Sequence, residues 1–125
     1  MDPERIVEIF ERYADAVGRN DADAAAALFA SDAVVRDPID APPYEGVEKI
    51  REFLAGAAGI VKSMAVIGPV RVAADGRHAA APMQARLDFG DGLQTLDAID
   101  VMTFDDEGRI TAMDAYYGPP NLNAV

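Results

Sequence analysis

The sequence predicts an α+β domain in which three N-terminal helices pack on one face of a curved, mainly antiparallel sheet. Apolar residues recur with the helical period in the first half of the chain, and they alternate with a period of two from about Val61 onward. Turn signals such as Asp75-Gly76 separate the later segments at hairpin spacing. The inner residues of the sheet and the inner helix faces would together enclose a cone.

The first helix is predicted to begin after Asp2, a good N-cap, and to end near Gly18. Its inward stripe consists of Ile6, Ile9, Phe10, Tyr13 and Val17. A second, alanine-rich helix is expected from about Ala22 to Phe29, followed by a turn at Ser31-Asp32. The third helix is expected to open at Gly46.

A short strand, Ala33 to Asp37, is expected to stop at Pro38, which also holds the preceding residue in an extended conformation. Four long antiparallel strands should follow, joined by tight turns. They are expected at 61–74 with a bulge or bend at Gly68-Pro69, at 79–89, from the turn at 90–92 to Phe104, and at 109–117.

Composition limits the classes of partner. A chain of 125 residues, half of them hydrophobic, suits one domain spanning 1–125. The net charge of −11 disfavours nucleic acid and membrane partners and least opposes a neutral, apolar small molecule. The chain has no cysteine, no long apolar run and no basic-then-apolar start, so we expect a cytoplasmic protein.

The chain offers little for metal or nucleophilic chemistry. His78 is the only histidine and lies beside the Asp75-Gly76 turn, where a solvated turn residue is expected. No EF-hand spacing, glycine-rich phosphate loop or Ser-His arrangement is present. Chemistry would therefore use Asp, Glu, Tyr and backbone groups, which indicates proton transfer.

Three polar residues interrupt apolar patterns: Tyr13 on a helix stripe, Asp37 at a strand end and Asp100 within a strand. Each has an ordinary explanation, as a hydrogen-bonded core tyrosine, a turn aspartate before proline and an exposed strand residue. Together they form a different set, namely one base and two neutral donors for an oxyanion.

The strand around Asp100 sharpens that hypothesis. Side chains alternate along a strand, so Asp97 and Asp100 lie on opposite faces. Asp100 shares its face with Ala98, Met102 and Phe104, whereas Asp97 is expected on the outside or at an interface. A carboxyl buried without a cationic partner has a raised pKa and can stay neutral as a donor.

Several segments in order resemble the bacterial Δ5-3-ketosteroid isomerases, small dimeric enzymes with a cone-shaped NTF2-like fold. They are Arg12-Tyr13, Leu28 to Pro38, Ile50 to Phe53, Ala98 to Phe104 and Ala115 to Tyr117. The resemblance implies isomerisation of 3-oxo-Δ5 steroids to 3-oxo-Δ4 steroids, with a proton moved from C4 to C6 through a dienolate. It also implies a homodimer and no cofactor.

By this resemblance, Asp37 matches the base, Tyr13 the principal oxyanion donor and Asp100 the protonated second donor. The residues expected to contact the hydrophobic 3-ketosteroid are Phe53, Leu54, Met83, Ala98, Met102 and Tyr117. Tyr117 matches an aromatic position near the base. Asp40 could be mistaken for that base, but we expect it to be exposed in the loop.

The chain departs from some members of the family at two positions. Phe29 and Leu54 stand where several members carry tyrosines that extend the oxyanion hydrogen-bond network. One alternative is another NTF2-like enzyme of the polyketide cyclase or dehydratase type, although most such activities would be expected to need a histidine or a second base in the pocket. The other alternative is a non-catalytic steroid- or lipid-binding module of the same shape.

Overall fold

The computed structural model describes residues 1–125 and contains three α-helices and eight strands. The helices are α1 (Pro3–Gly18), α2 (Ala22–Ala26) and α3 (Val47–Gly56). The strands are β1 (Phe29–Arg36), β2 (Tyr44–Glu45), β3 (Val61–Val66), β4 (Arg71–Val72), β5 (His78–Asp88), β6 (Leu93–Phe104), β7 (Ile110–Tyr116) and β8 (Leu122–Ala124). A single 3₁₀ turn, Pro119–Asn121, precedes β8.

All strands belong to one sheet, whose main path is β2-β1-β7-β6-β5-β3. β4 adds to β5, and β8 adds to β6. Every pair is antiparallel except β1 with β7, which is parallel. The predicted α+β class and the mainly antiparallel sheet are therefore confirmed.

Helix α1 packs its apolar stripe into the core beneath the sheet. Asp2 caps it, because its side chain accepts a hydrogen bond of 3.0 Å from the backbone nitrogen of Glu4. Ile6 and Phe10 are completely buried, and they belong to the same apolar cluster as Met83 of β5. This packing closes the inner face of the sheet on one side.

The segment after α2 differs from the prediction. The helix ends at Ala26, and β1 begins already at Phe29, where a helix end was expected. Ser31 and Asp32 lie within β1, at an irregularity of its pairing with β7, and do not form the expected turn. The reason is non-local: Phe29 is buried and pairs with Ile110, and that contact overrides the local alanine-rich helix pattern.

Three further elements refine the expected sheet. The strand predicted at 61–74 is interrupted between β3 and β4, at the expected Gly68-Pro69 position. A Cβ on Gly68 would lie 2.9 Å from the Pro82 side chain of β5, so the close approach of this bend to β5 favours glycine. The short strands β2 and β8 were not predicted, because two or three residues carry no readable period.

None of the helices combines the length and the apolar character that crossing a membrane would need.

Candidate active site

Asp100 is the one acidic or basic residue within the buried core, and its side chain lies on the inner face of the sheet. Its exposed fraction is 3%, with Ala81 of β5 and Ala115 of β7 directly beside it. These two small neighbours leave room around the carboxyl group. Asp97 lies on the other face, where the Gln84 side-chain amide donates a hydrogen bond of 2.9 Å to its carboxylate. The predicted opposite placement of the two aspartates is confirmed.

Tyr13 reaches the same interior from α1. Its side chain is 2% exposed, and its ring meets the edge of Phe29 at a centroid distance of 6.1 Å. Neither the Tyr13 hydroxyl nor the Asp100 carboxyl hydrogen bonds to another protein group. The oxygen atoms of both groups nevertheless keep a small accessible surface. Both groups are therefore free to donate to a ligand oxygen.

Asp37 follows β1 directly and is half-buried. The loop behind it is tied to β7, because the backbone nitrogen of Ile39 donates a hydrogen bond of 2.8 Å to the Ala115 carbonyl. Ala115 is the β7 neighbour of Asp100, so this bond holds the loop that follows Asp37 close to Asp100. The peptide bond between Asp37 and Pro38 is cis.

The electrostatic environment keeps the two expected donors neutral. Burial, followed by the nearby charge of Asp37, raises the pKa of Asp100 to about 8. Burial also raises the pKa of Tyr13 well above its ordinary value, and the charges of Asp100, Asp37 and Tyr117 add to the shift. At neutral pH, both residues can therefore serve as hydrogen-bond donors.

Asp37 and Tyr117 form the other half of this cluster. Burial raises the pKa of Asp37, while the Tyr117 hydroxyl, acting as a hydrogen-bond donor, lowers it. Burial and the charge of Asp37 raise the pKa of Tyr117 in turn. The structure thus brings together Tyr13, Asp37, Asp100 and Tyr117, which come from α1, the end of β1, β6 and the end of β7.

The other residues expected to contact substrate lie around this cluster with different accessibility. Met83 and Met102 are fully buried in the core, and Leu54 is 8% exposed. Ala98 is half-buried and pairs with Met83 across the sheet. Phe53 is half-buried and stacks on Tyr44 at a centroid distance of 4.4 Å. Their contact with a ligand stays a prediction.

A pocket of about 420 Å³ lies next to Tyr117, at one end of the inner face. It is lined by Pro38, Asp40, Leu87, Phe89, Leu96, Tyr117, Gly118, Pro119 and Leu122. Sequence reasoning missed most of these residues, although the parity that placed Asp100 inside also places Leu96 inside. Asp40 is exposed as expected, yet it lines this pocket.

His78 is exposed at its turn, with a ring nitrogen 2.7 Å from the Asp75 carboxylate.

Comparison with known proteins identifies the family of this chain. A model of the SnoaL-like domain family matches residues 10–113. A curated steroid Δ-isomerase from Nocardioides simplex is 39% identical over 111 residues, which cover 89% of this chain and 88% of that protein. The chain belongs to the SnoaL-like family of NTF2-like proteins, and within it resembles the ketosteroid isomerases. The relative's identity and coverage support isomerase-like function.

A solved structure shares the fold at greater distance. It is SalBIII, an epoxide hydrolase/cyclase-like enzyme with a role in pyran ring formation in the polyether salinomycin. The TM-score is 0.90 with 24% identity, over 99% of this chain and 98% of that one. At this identity the likeness establishes the cone-shaped NTF2-like fold and carries no conclusion about the reaction.

Replacing Asp100 by Asn should stabilise the protein, and the gain should grow with pH. The folded pKa of about 8 exceeds the ordinary value of 3.8, so between these values the folded state holds a proton that the unfolded state has lost. The free energy of unfolding of the wild type therefore falls as pH rises through that window. Urea denaturation across the window measures the effect.

The matched control is Asp97→Asn, which makes the same change on the outer face of the same strand. Its effect on the free energy of unfolding should not grow in the same way. A constant difference between Asp100→Asn and the wild type at all pH values would contradict the burial of a neutral Asp100.

Proposed function

We propose that this protein converts 3-oxo-Δ5 steroids to 3-oxo-Δ4 steroids by moving a proton from C4 to C6. The observation that carries the proposal is the buried Asp100, whose raised pKa keeps it neutral next to Tyr13 and near the ionisable Asp37. One base and two neutral donors in one apolar interior are the groups that enolisation of a ketone requires. The likeness to a curated steroid Δ-isomerase supports the same conclusion.

The reaction begins with removal of a proton next to the carbonyl group. The Asp37 carboxylate takes the proton from C4, and the electron pair of the broken C–H bond moves toward the carbonyl oxygen, giving a dienolate. Protonated Asp37 then returns the proton to C6, and the double bond becomes conjugated with the carbonyl. Atoms and electrons balance without a cofactor. The raised pKa of Asp37 makes it a stronger base than an exposed aspartate.

Tyr13 and Asp100 stabilise the charge that develops on the oxygen. Donors held in place in a water-poor site stabilise such charge without the reorganisation that water would need. An ionised Asp100 would repel both the dienolate and Asp37, so the protonated form is the one that suits this role. Burial beside Ala81 and Ala115, without a cation, supplies the desolvation that keeps it protonated.

The Asp37→Asn variant should lose isomerase activity by a factor of about 10² to 10⁴, the usual contribution of a positioned base. Turnover of a 3-oxo-Δ5 steroid is measured by the absorbance of the conjugated enone. The control is Asp32→Asn, an exposed carboxylate of β1 that faces away from the site. Undiminished turnover by Asp37→Asn, or no turnover by the wild type, would refute the proposal. A binding-only module would bind the steroid and leave it unchanged.

Substitutions of Tyr13 and Asp100 should lower kcat according to whether the new side chain can still donate a hydrogen bond. Tyr13→Phe removes the hydroxyl and should lower kcat by about 10² to 10³-fold, as loss of one oxyanion donor typically does. Asp100→Ala should have a larger effect than Asp100→Asn, because the asparagine amide can still donate. Steady-state kinetics with one steroid measures the series. Equal kcat values for wild type, Tyr13→Phe and Asp100→Ala would exclude the oxyanion role.

We also propose that two copies associate through the outer face of the sheet. Ile99 and Tyr116 are paired across β6 and β7 on that face, and their exposed fractions are 43% and 48%. An exposed aromatic side chain beside an exposed aliphatic one has the composition that is enriched at protein interfaces. The alternating pattern places the active-site cluster on the opposite face, so such a dimer leaves the site open.

The variant Ile99→Arg should therefore shift the protein toward monomer, measured by sedimentation velocity over a concentration series. Introducing a charge at the centre of an apolar contact disfavours association strongly. Val7→Arg is the control, because Val7 is 37% exposed on α1 and lies away from this face. A wild-type protein that remains monomeric at high concentration would refute the dimer.

A further inference from the structure

The pocket beside Tyr117 extends beyond the residues that the reaction needs. Its volume of about 420 Å³ falls in the range of small-molecule sites. We call it the mouth pocket, and define it by the nine residues that line it, given above. Its walls come from the end of β5, the start of β6, β8, and the loops after Asp37 and Tyr117.

The mouth pocket lies farther along β6 than the active-site cluster, and Tyr117 belongs to both. Asp100, Ala98 and Leu96 share the inner face of that strand, and Leu96 is a wall of the pocket. Four residues of strand span roughly 13 Å. A ligand whose carbonyl oxygen is held at Asp100 must therefore cross this distance before it reaches the pocket. A rigid system of fused rings does so, and the substituent at its far end then enters the pocket.

The lining combines apolar walls with a single charge. Leu87, Leu96 and Leu122 form an apolar wall, with Leu96 and Leu122 paired between β6 and β8. Asp40 is the only charged residue among the nine, and no Lys or Arg is present to neutralise it. An anionic group in the pocket would face this carboxylate without a partner, within a protein of net charge −11.

We propose that the mouth pocket binds the substituent on the ring farthest from the 3-oxo group, and that Asp40 makes it select neutral substituents over carboxylates. This inference rests on the proposed function, since it assumes that the steroid's oxygen lies at Tyr13 and Asp100. Asp40 acts here as a specificity residue and takes no part in proton transfer.

The test uses three phenolic steroids whose phenol takes the place of the dienolate. One has no side chain on the far ring, one has a short chain ending in a primary amide, and one has the same chain ending in a carboxylate. The amide and the carboxylate have nearly the same shape and differ in charge. Affinity is measured by equilibrium titration, which requires no turnover.

The amide should bind more tightly than the parent phenol because its chain buries apolar surface in the pocket. It should also bind about tenfold more tightly than the carboxylate at low ionic strength. That ratio should shrink by about threefold or more at high salt, because Asp40 is exposed and its charge is screened.

The variant Asp40→Asn should reduce the amide-to-carboxylate ratio by a similar factor. Asp32→Asn removes the same charge from an exposed position outside the pocket and should leave the ratio unchanged. The same comparison with 3-oxo-Δ5 substrates, read as kcat/KM, should give the same order of preference.

The outcomes separate this inference from the proposed function. Binding with the predicted ratio but without turnover of any 3-oxo-Δ5 steroid supports the mouth pocket and refutes the isomerase activity. Turnover with equal affinity for the amide and the carboxylate, or with a ratio that Asp40→Asn does not change, overturns the role of Asp40. An amide no tighter than the parent phenol overturns the pocket itself, as does failure of all three phenols to bind.

Discussion

The candidate active site depends on one unfavourable environment, the burial of the Asp100 carboxyl without a cationic partner. Its charged form is strongly disfavoured there, so the group keeps its proton and changes from an acceptor into a donor. Ala81 and Ala115 make space beside it, and α1 brings Tyr13 to the same interior. Asp97 of the same strand lies on the opposite face, where its carboxylate accepts a hydrogen bond from Gln84.

The two carboxyl groups of the cluster, Asp37 and Asp100, differ in what surrounds them. Asp37 sits at a strand end, half-buried, where Tyr117 donates to it and favours its ionised form. Asp100 has no such donor and feels the charge of Asp37 in addition to its own burial. Two carboxyls in one interior thus lie in different environments, and the pKa of Asp100 is the one raised to about 8. The proposed mechanism depends on this difference, because one must accept a proton while the other must donate a hydrogen bond.

The sequence predicted the main architecture where the signals are periodic and long. The stripe of α1, the hairpin turns and the alternation along β5 and β6 all appear in the structure. The prediction was wrong at the end of α2 and the start of β1, because Phe29 pairs in parallel with Ile110, a residue far away in the sequence. It also missed β8, whose three residues become a strand only because the edge of β6 is available to them.

For the candidate site, the sequence by itself determined which reactive side chains are present and on which face of its strand Asp100 lies. A lone histidine beside a turn and the lack of cysteine favour carboxyl and phenol groups, and the period of two puts Asp100 on the opposite face from Asp97. Only the tertiary structure decided that the inner face is dry at Asp100, that Tyr117 reaches Asp37, and that Asp40 borders a pocket. The physical reason is that burial and proximity depend on contacts between segments far apart in the chain, whereas alternation is a property of each strand alone.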